Sequence, residues 1–574
     1  MTKKILMAII CATILYTGLR LRLAHHYTNQ TKRPIATLKT RTMHGDEAVN
    51  AIKFQKLYFP KPNTTGTFQY DPDEYHGPSL YYLTIPFAWL SGKQSFKATD
   101  ESLYRSVPLF FSLALIPLSF LFRKELSIVG CAVAGILLIA SPAFSFYSRY
   151  YIHEMLLVFF TFSTIASGFG YFSAKMPLKK YYAIGLGISL AMMHATKETS
   201  IIAWAGFFCG IIYLLIEARF KTKHGKTHKP KKSPSLAKKH LLLLITAALS
   251  TWLLFYTSFF TQSDGLLDSL TTYFHYFKKS GANTNASHNQ PFWFYHQKLW
   301  SVTYGKMVWS EKLILIGAAC GLILAFLPFA LPKNAKPFAR FIAIYSLTIS
   351  LIYCTLPYKT TWSMLTFLHS YILLCAVATH AFLHMIASLF SIQQTSPTYH
   401  PFHPRRVIGY IFQTVLCVAL FFPIQNLYQT ASKTISKKYE SHKKNPYCLG
   451  QPLNGAKKLG QLTDQLAKLL DKDQPLIVYL NLTPGPYSQL PWPLPWYLRK
   501  HITGYQILYQ NNLPRPHLFI TDERRASLLP ANYQKNYQTK NYGIFTYPKQ
   551  DKSRNGLITA YIQKDLYQKF LDAQ

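Results

Sequence analysis

Long stretches without a charged residue alternate with short basic ones over the first three quarters of the chain. Residues 126–148, 155–174, 240–263, 313–332 and 360–404 are such uncharged runs, and each, coiled as a helix, can cross about 30 Å of hydrocarbon. Read for apolar runs and their breaks, the sequence predicts eleven spanning helices. They lie near 5–19, 106–122, 126–147, 155–173, 181–195, 199–216, 240–260, 313–331, 341–356, 363–388 and 407–424. Residues 79–90 are apolar and aromatic but too short to span, which suits an interfacial or re-entrant helix. Beyond residue 425 the pattern changes: a helical stretch at 456–470 precedes short strand-like runs at 476–480, 505–508, 517–521 and 543–547, with helical stretches between and after.

Basic residues set the expected sidedness. With the amino terminus in the cytoplasm, the pieces on that side (1–4, 123–125, 174–180, 217–239, 332–340 and 389–406) carry 21 Lys plus Arg and only Glu125 and Glu217 as acids. That is the bias of cytoplasmic loops. Counting 79–90 as a span would invert every later loop. The opposite face then receives a long first loop (20–105), three tight turns (148–154, 196–198, 357–362), a second long loop (261–312) and everything after 424. The expected fold is an all-α polytopic membrane domain over 1–424 with an extracytoplasmic α/β domain over 425–574, placed in the cell (inner) membrane.

Composition adds little to this but excludes much. The 574 residues carry 62 Lys plus Arg against 23 Asp plus Glu, a net charge of +39, while only 15% are charged, against about 25% in soluble proteins. The segregation of the uncharged runs, which these totals alone would not reveal, excludes a single soluble domain, and an aromatic content of 16% excludes disorder. Seven of the eight cysteines lie in apolar runs and no CxxC occurs, so they read as packing residues. Lys3-Lys4 ahead of an apolar run reads as an uncleaved first helix, since Arg20 and Arg22 flank the run and no clear small-residue cleavage site follows. The nine cations of 217–239 read as an orientation signal in contact with anionic lipid, with no nucleic-acid partner.

Candidate chemistry concentrates on the outer face. The first loop holds Met43-His44-Gly45-Asp46-Glu47-Ala48 and Tyr70-Asp71-Pro72-Asp73-Glu74-Tyr75-His76-Gly77-Pro78. Asp46 and Glu47 open a helical pattern, so they read either as first-turn acids favoured by the helix dipole or as a general base with a partner that orients the acceptor or a metal. Asp71-x-Asp73 reads as a turn around Pro72 before it reads as a metal pair. The short outer turns hold three basic residues, Arg149, Lys197 and Lys359. These are either interfacial cations snorkelling among aromatics or a pocket for a lipid-linked phosphate. Glu154 stands at the mouth of the fourth helix and Glu198 follows Lys197. His288, ahead of Pro291-Phe292-Trp293-Phe294-Tyr295, is either structural or a donor to phosphate.

Taken in order, these pieces resemble a GT-C-type glycosyltransferase of the plan shared by protein O-mannosyltransferases and lipid A aminoarabinose transferases. His44 to Ala51, His76 to Tyr82, Pro357 to Trp362 and Trp492-Pro493-Leu494-Pro495-Trp496-Tyr497-Leu498-Arg499 are closest to the flippase-activity-associated family linked to archaeal N-glycosylation. The resemblance implies an inverting transfer of a sugar from a polyprenyl-phosphate donor to a glycan, lipid or protein acceptor. It makes Asp46 the base, assisted by Glu47, with Glu154 as second acid. It sets Lys197, His288 and Lys359 on the donor phosphate; the cluster of outer-turn cations adds Arg149 as a fourth candidate there, and His76, Tyr75, Glu198 and Trp362 are candidates for acceptor or substrate. The turn at 358–362 reads Tyr-Lys-Thr-Thr-Trp where the family leads one to expect Pro before Trp, and the Trp-Trp-Asp signature of oligosaccharyltransferases is absent from the sequence. No metal ligand set is implied, and a divalent cation is left open. The rival reading is a non-catalytic flippase or transport-associated protein for lipid-linked sugars, using the same cations for binding alone.

Overall fold

The computed structural model describes residues 3–25, 35–60, 66–74, 76–223, 236–281, 288–390, 404–450, 452–471, 474–482, 492–505, 515–522, 525, 535–545 and 556–574. The helices, in chain order, are α1 Lys3–Leu23, α2 Gly45–Tyr58, α3 Ser79–Leu90, α4 Glu101–Ser119, α5 Arg123–Ala140, α6 Pro142–Tyr147, α7 Glu154–Ser173 and α8 Met176–His194. There follow α9 Ser200–Lys223, α10 Lys238–Tyr256, α11 Gly265–Gly281, α12 Phe294–Trp300, α13 Lys312–Phe326, α14 Lys336–Thr355, α15 Leu365–Leu389 and α16 Pro404–Thr434. All eleven segments expected to span are helical: α1, α4, α5, α7, α8, α9, α10, α13, α14, α15 and α16. Eight stretches among the described residues are long and apolar enough to cross a membrane, and one of them, Glu101–Ala140, contains both α4 and α5. Helix α13 is shorter, at 15 residues. The protein is a multi-pass membrane protein.

The bundle is held by pairs of neighbouring spans. Helix α8 packs between α7 and α10, α13 against α15, and α14 against α9. Outward apolar side chains such as Phe208, Leu242, Ile323 and Phe422 are more than half exposed, as expected of helices whose outer faces meet lipid. The interfacial segment is helical over the expected twelve residues, α3, with Leu80, Tyr81 and Thr84 buried toward the bundle and Trp89 and Leu90 exposed at its end.

The carboxy-terminal region builds one five-stranded sheet from β5 Val478–Asn481, β6 Ile502–Tyr505, β7 Leu518–Asp522, β8 Tyr537–Phe545 and β9 Gly556–Gln563, after two short hairpins (β1 Ala24–His25 with β2 Ile35–Ala36, β3 Val302–Tyr304 with β4 Met307–Trp309) earlier in the chain. Its strand order is β6-β5-β7-β9-β8, parallel in the first three strands and antiparallel from β7 onward. Helices α17 Gly455–Ala467, α18 Leu494–Leu498 and α19 Lys564–Asp572 complete it. Leu459, Leu466, Val478, Ile520, Ile562 and Phe570 form its own core. The alternation of Leu557, Thr559 and Tyr561 with Ile558, Ala560 and Ile562 in β9 was not recognised as a strand from the sequence. The runs expected at 505–508 and 543–547 extend partly outside the described residues.

Candidate active site

Helix α2 starts where the sequence can cap it. His44 is the N-cap: its Nδ1 accepts from the Asp46 N–H, while Glu47 Oε2 accepts from the His44 N–H at 2.8 Å, a reciprocal box. Asp46, Val49, Asn50 and Lys53 then recur at helical spacing on one face and line a cavity of about 390 Å³. Glu47 points the other way. It is fully buried, bound by Arg41 at 2.8 Å and by Arg105 Nε and Nη2 at 2.8 and 3.0 Å, and it accepts from the Tyr151 N–H. Burial alone would raise its pKa, but Arg105 and Arg41 outweigh burial and hold the carboxyl well below the usual range. The expectation that Glu47 assists a base is therefore corrected: every lone pair it offers is spent on tying α2 to α4 and to the 148–153 turn.

The second wall comes from two distant stretches paired through their backbones. His76 and Lys197 form an antiparallel bridge, extended by Gly77 N–H to Thr196 O (3.1 Å) and Ser79 N–H to Ala195 O (2.8 Å). A Cβ on Gly77 would lie 2.2 Å from Ala195 O, so only glycine permits this approach. The pairing delivers His76, Lys197 and Glu198 to the cavity, where Glu154 joins them from the start of α7. Lys197 forms an ion pair with Glu154, and the Glu198 carboxylate accepts from His76 Nδ1–H at 3.0 Å. Burial alone would discharge Lys197, but the carboxylates of Glu154 and Glu198 reverse that and raise its pKa above the ordinary value. Burial pushes Glu198 up, and His76 and Lys197 together bring it below its usual value.

The third wall repeats the device. Asn289 pairs with Tyr358, with Lys359 N–H to His288 O and Gln290 N–H to Pro357 O, both 3.0 Å. This places Tyr358, Thr360 and Trp362 on the cavity. Lys359 itself turns away: its ammonium donates to Leu356 O, at the end of α14, and to Gln290 O at 3.1 Å, where a cation suits the helix carboxy terminus. His288 packs against Tyr358 with ring centroids 4.9 Å apart and planes tilted by 33°, and it does not line the cavity. Arg149 is also elsewhere, donating to Ile435 O (3.1 Å) and facing Glu440 at 3.4 Å. Of the four cations expected at a phosphate, the structure thus brings Lys197 to the cavity. It spends Lys359 on the carbonyls of Leu356 and Gln290, and Arg149 on the chain beyond α16. Tyr75 lies outside the described residues.

The cavity therefore gathers Asp46, Glu154, Lys197, Glu198, His76 and Trp362 from the sequence-derived set, and adds Lys53, Asn50, Tyr276, Tyr295 and Tyr353. Lys53 was legible as the i+7 neighbour of Asp46 but was passed over. Burial lowers its pKa to about 8 against the opposing pull of Asp71 and Asp46. Among the described residues, Asp46, more than half exposed, has the His44 ring at 3.7 Å as its one salt-bridge contact, while Asp73 is held by His275 at 2.6 Å. Asp71 and Asp73 form the expected turn, Asp73 N–H to Asp71 Oδ1 at 2.9 Å in a 3-10 segment. Among the described residues no three His, Cys, Asp or Glu side chains are grouped to hold a metal ion.

Comparison with known proteins now bears on this arrangement. Residues 77–266 match the family model of dolichyl-phosphate-mannose-protein mannosyltransferases. No curated protein sequence matches the chain. Among solved structures, ArnT from Cupriavidus metallidurans bound to undecaprenyl phosphate is similar over 97% of both chains, with a TM-score of 0.55 at 12% identity. The same protein in the apo state gives 0.54 over the same coverage at 12% identity. The apo oligosaccharyltransferase of Archaeoglobus fulgidus gives a TM-score of 0.48 at 12% identity, over 100% of this chain and 78% of its own. The chain has the GT-C fold of membrane glycosyltransferases, and its 77–266 segment is the part that carries the mannosyltransferase family match.

Proposed function

We propose that the protein is an integral-membrane glycosyltransferase that moves a sugar from a polyprenyl-phosphate donor to an acceptor hydroxyl at the cavity, with inversion. The observation that carries this reading is the division of labour among the cavity carboxylates. Glu154 is committed to Lys197, Glu198 to His76 at 3.0 Å and Asp73 to His275 at 2.6 Å, while Asp46, more than half exposed at a helix amino terminus, meets the His44 ring only at 3.7 Å among the described residues.

Asp46 takes the acceptor proton as the acceptor oxygen attacks the anomeric carbon from the face opposite the phosphate. The bond from that carbon to the phosphate oxygen breaks, and the departing phosphate carries away the electron pair. Lys197, kept charged in a buried position by Glu154, and Lys53 stabilise that charge, an electrostatic contribution fixed before the reaction begins. His76, oriented by Glu198, and the aromatic wall of Tyr295, Tyr353 and Trp362 hold the sugar. The cavity opens on the outer, extracytoplasmic side of the cell membrane, and the sheet-containing region lies on that side too.

The test is turnover of a polyprenyl-phosphate sugar by the purified chain in lipid. Wild type should release polyprenyl phosphate, and Asp46→Asn should lose about a hundredfold or more in kcat, the range for removing a general base. Full activity in Asp46→Asn would overturn the assignment of the base.

A further inference from the structure

A second, basic cavity lies apart from the candidate active site, between the β3–β4 hairpin, the start of α13 and the end of α16. Its volume is about 380 Å³, and its lining includes Lys306, Lys312, Lys433, Ser310, Asn426 and Thr430 and no acid. None of the three lysines forms a salt bridge with a described carboxylate, and all three are exposed. The carboxylates near in sequence are withdrawn. Glu311 is fully buried and accepts from Ser141 Oγ and the Ala143 N–H, and Glu440 is buried against Arg149.

The surroundings continue the same sign. The segment after α16 adds exposed Lys437, Lys438, Lys443 and Lys444, and it packs on the hairpin through Tyr304 and His442, ring centroids 4.4 Å apart, and through Trp309 and Tyr439 at 5.7 Å. Trp300, half exposed, lies under the Lys312 ammonium at 5.0 Å. Below this shelf the outward face of α16 is apolar, with Phe421, Phe422 and Val418 more than half exposed. A concave cluster of ammonium and hydroxyl donors at the ends of two membrane helices, with aromatics beside it and hydrocarbon-facing side chains under it, matches a lipid whose headgroup carries a phosphate.

We infer that this cavity binds the phosphate of an anionic phospholipid in the adjoining leaflet, its acyl chains lying along α16. The site depends only on the membrane setting, and stands or falls independently of the transfer reaction. Juxtamembrane lysines strengthen attraction to anionic lipid by about fivefold each.

The full-length chain in detergent, mixed with phosphatidylglycerol or phosphatidylcholine of the same acyl chains, is read by native mass spectrometry. Wild type should retain phosphatidylglycerol at least about tenfold more than phosphatidylcholine, given three lysines at that increment. Lys306→Gln/Lys312→Gln/Lys433→Gln should abolish the preference, and the corresponding triple Arg variant should keep it, which separates lost charge from lost fold. Lys306→Gln alone, on the hairpin, should weaken it about fivefold. Equal retention of the two lipids by wild type, or an undiminished preference in the triple Gln variant, overturns the site. Displacement of the lipid by excess inorganic phosphate at matched ionic strength overturns the assignment to a lipid headgroup.

Discussion

Glu47 and Asp46 are neighbours with opposite fates, and a helix turn of about 100° between successive residues is the reason. One faces Arg41, Arg105 and the protein interior, the other the cavity. Removing one partner of a buried ion cluster strands the others, so Glu47→Gln should cost about 3–5 kcal/mol of stability, read as a lowered unfolding midpoint. Asp46→Asn should leave that midpoint nearly unchanged. Lys53 gives a pH signature. Its pKa is lowered to about 8 by burial, so its charge is complete well below that value and lost as pH rises through it. If it helps hold the donor phosphate, KM should rise several-fold between pH 7 and 9, and Lys53→Arg, which stays charged across that range, should flatten the profile. A KM in wild type that is flat over that interval would remove Lys53 from the phosphate. The types of residue at the site were legible in the sequence: acids in a chain with few, and cations beside helix ends. What each does was not, because the partner of Arg149 is 291 residues away and the carbonyls that take up Lys359 belong to a turn and to a loop.

At the scale of elements, short turns do the positioning. Two backbone bridges, His76 to Lys197 and Asn289 to Tyr358, join loops that no local pattern links. Gly77 is the tightest point. Gly77→Ala would force apart the bridge that carries both Lys197 and His76, and displacements near 1 Å cost about a hundredfold in rate. We expect a loss of at least about tenfold in kcat/KM. Gly168→Ala in α7, with no atom within 4 Å of a new Cβ, should be neutral or slightly stabilising. Helices were the readable part of this level. All eleven apolar runs expected to span are helical, as is the twelve-residue α3, and eight stretches among the described residues are long and apolar enough to cross a membrane. Strand β9 escapes the pattern because both its faces are largely apolar, Leu557 and Tyr561 on one and Ile558, Ala560 and Ile562 on the other, so no apolar/polar alternation marks it.

Across the whole molecule, the carboxy-terminal region is stapled to the first loop. Tyr497 OH donates to Glu101 at 3.0 Å and accepts from the Met43 N–H at 2.9 Å, Lys457 meets Glu101 at 3.2 Å, and Thr42 donates to Asn454 at 2.8 Å. Tyr147 OH donates to Tyr447 O at 2.7 Å on the far side. The region that builds the sheet therefore shares a face with α2 and the cavity, which makes sidedness testable in one experiment. Single cysteines at 46, 197 and 457, in a background without the native eight, should all react with an impermeant reagent added outside intact cells, and one at 179 should not. Labelling of 46 and 197 from opposite sides would dismantle the site. A further consequence follows from the third wall. Because Tyr358 to Ser363 complete an enclosure begun by Asp46, the cavity of a nascent chain is not closed until more than three hundred further residues have been synthesised and inserted. On the proposed function, activity is thereby withheld from every truncated product of translation that stops before α15.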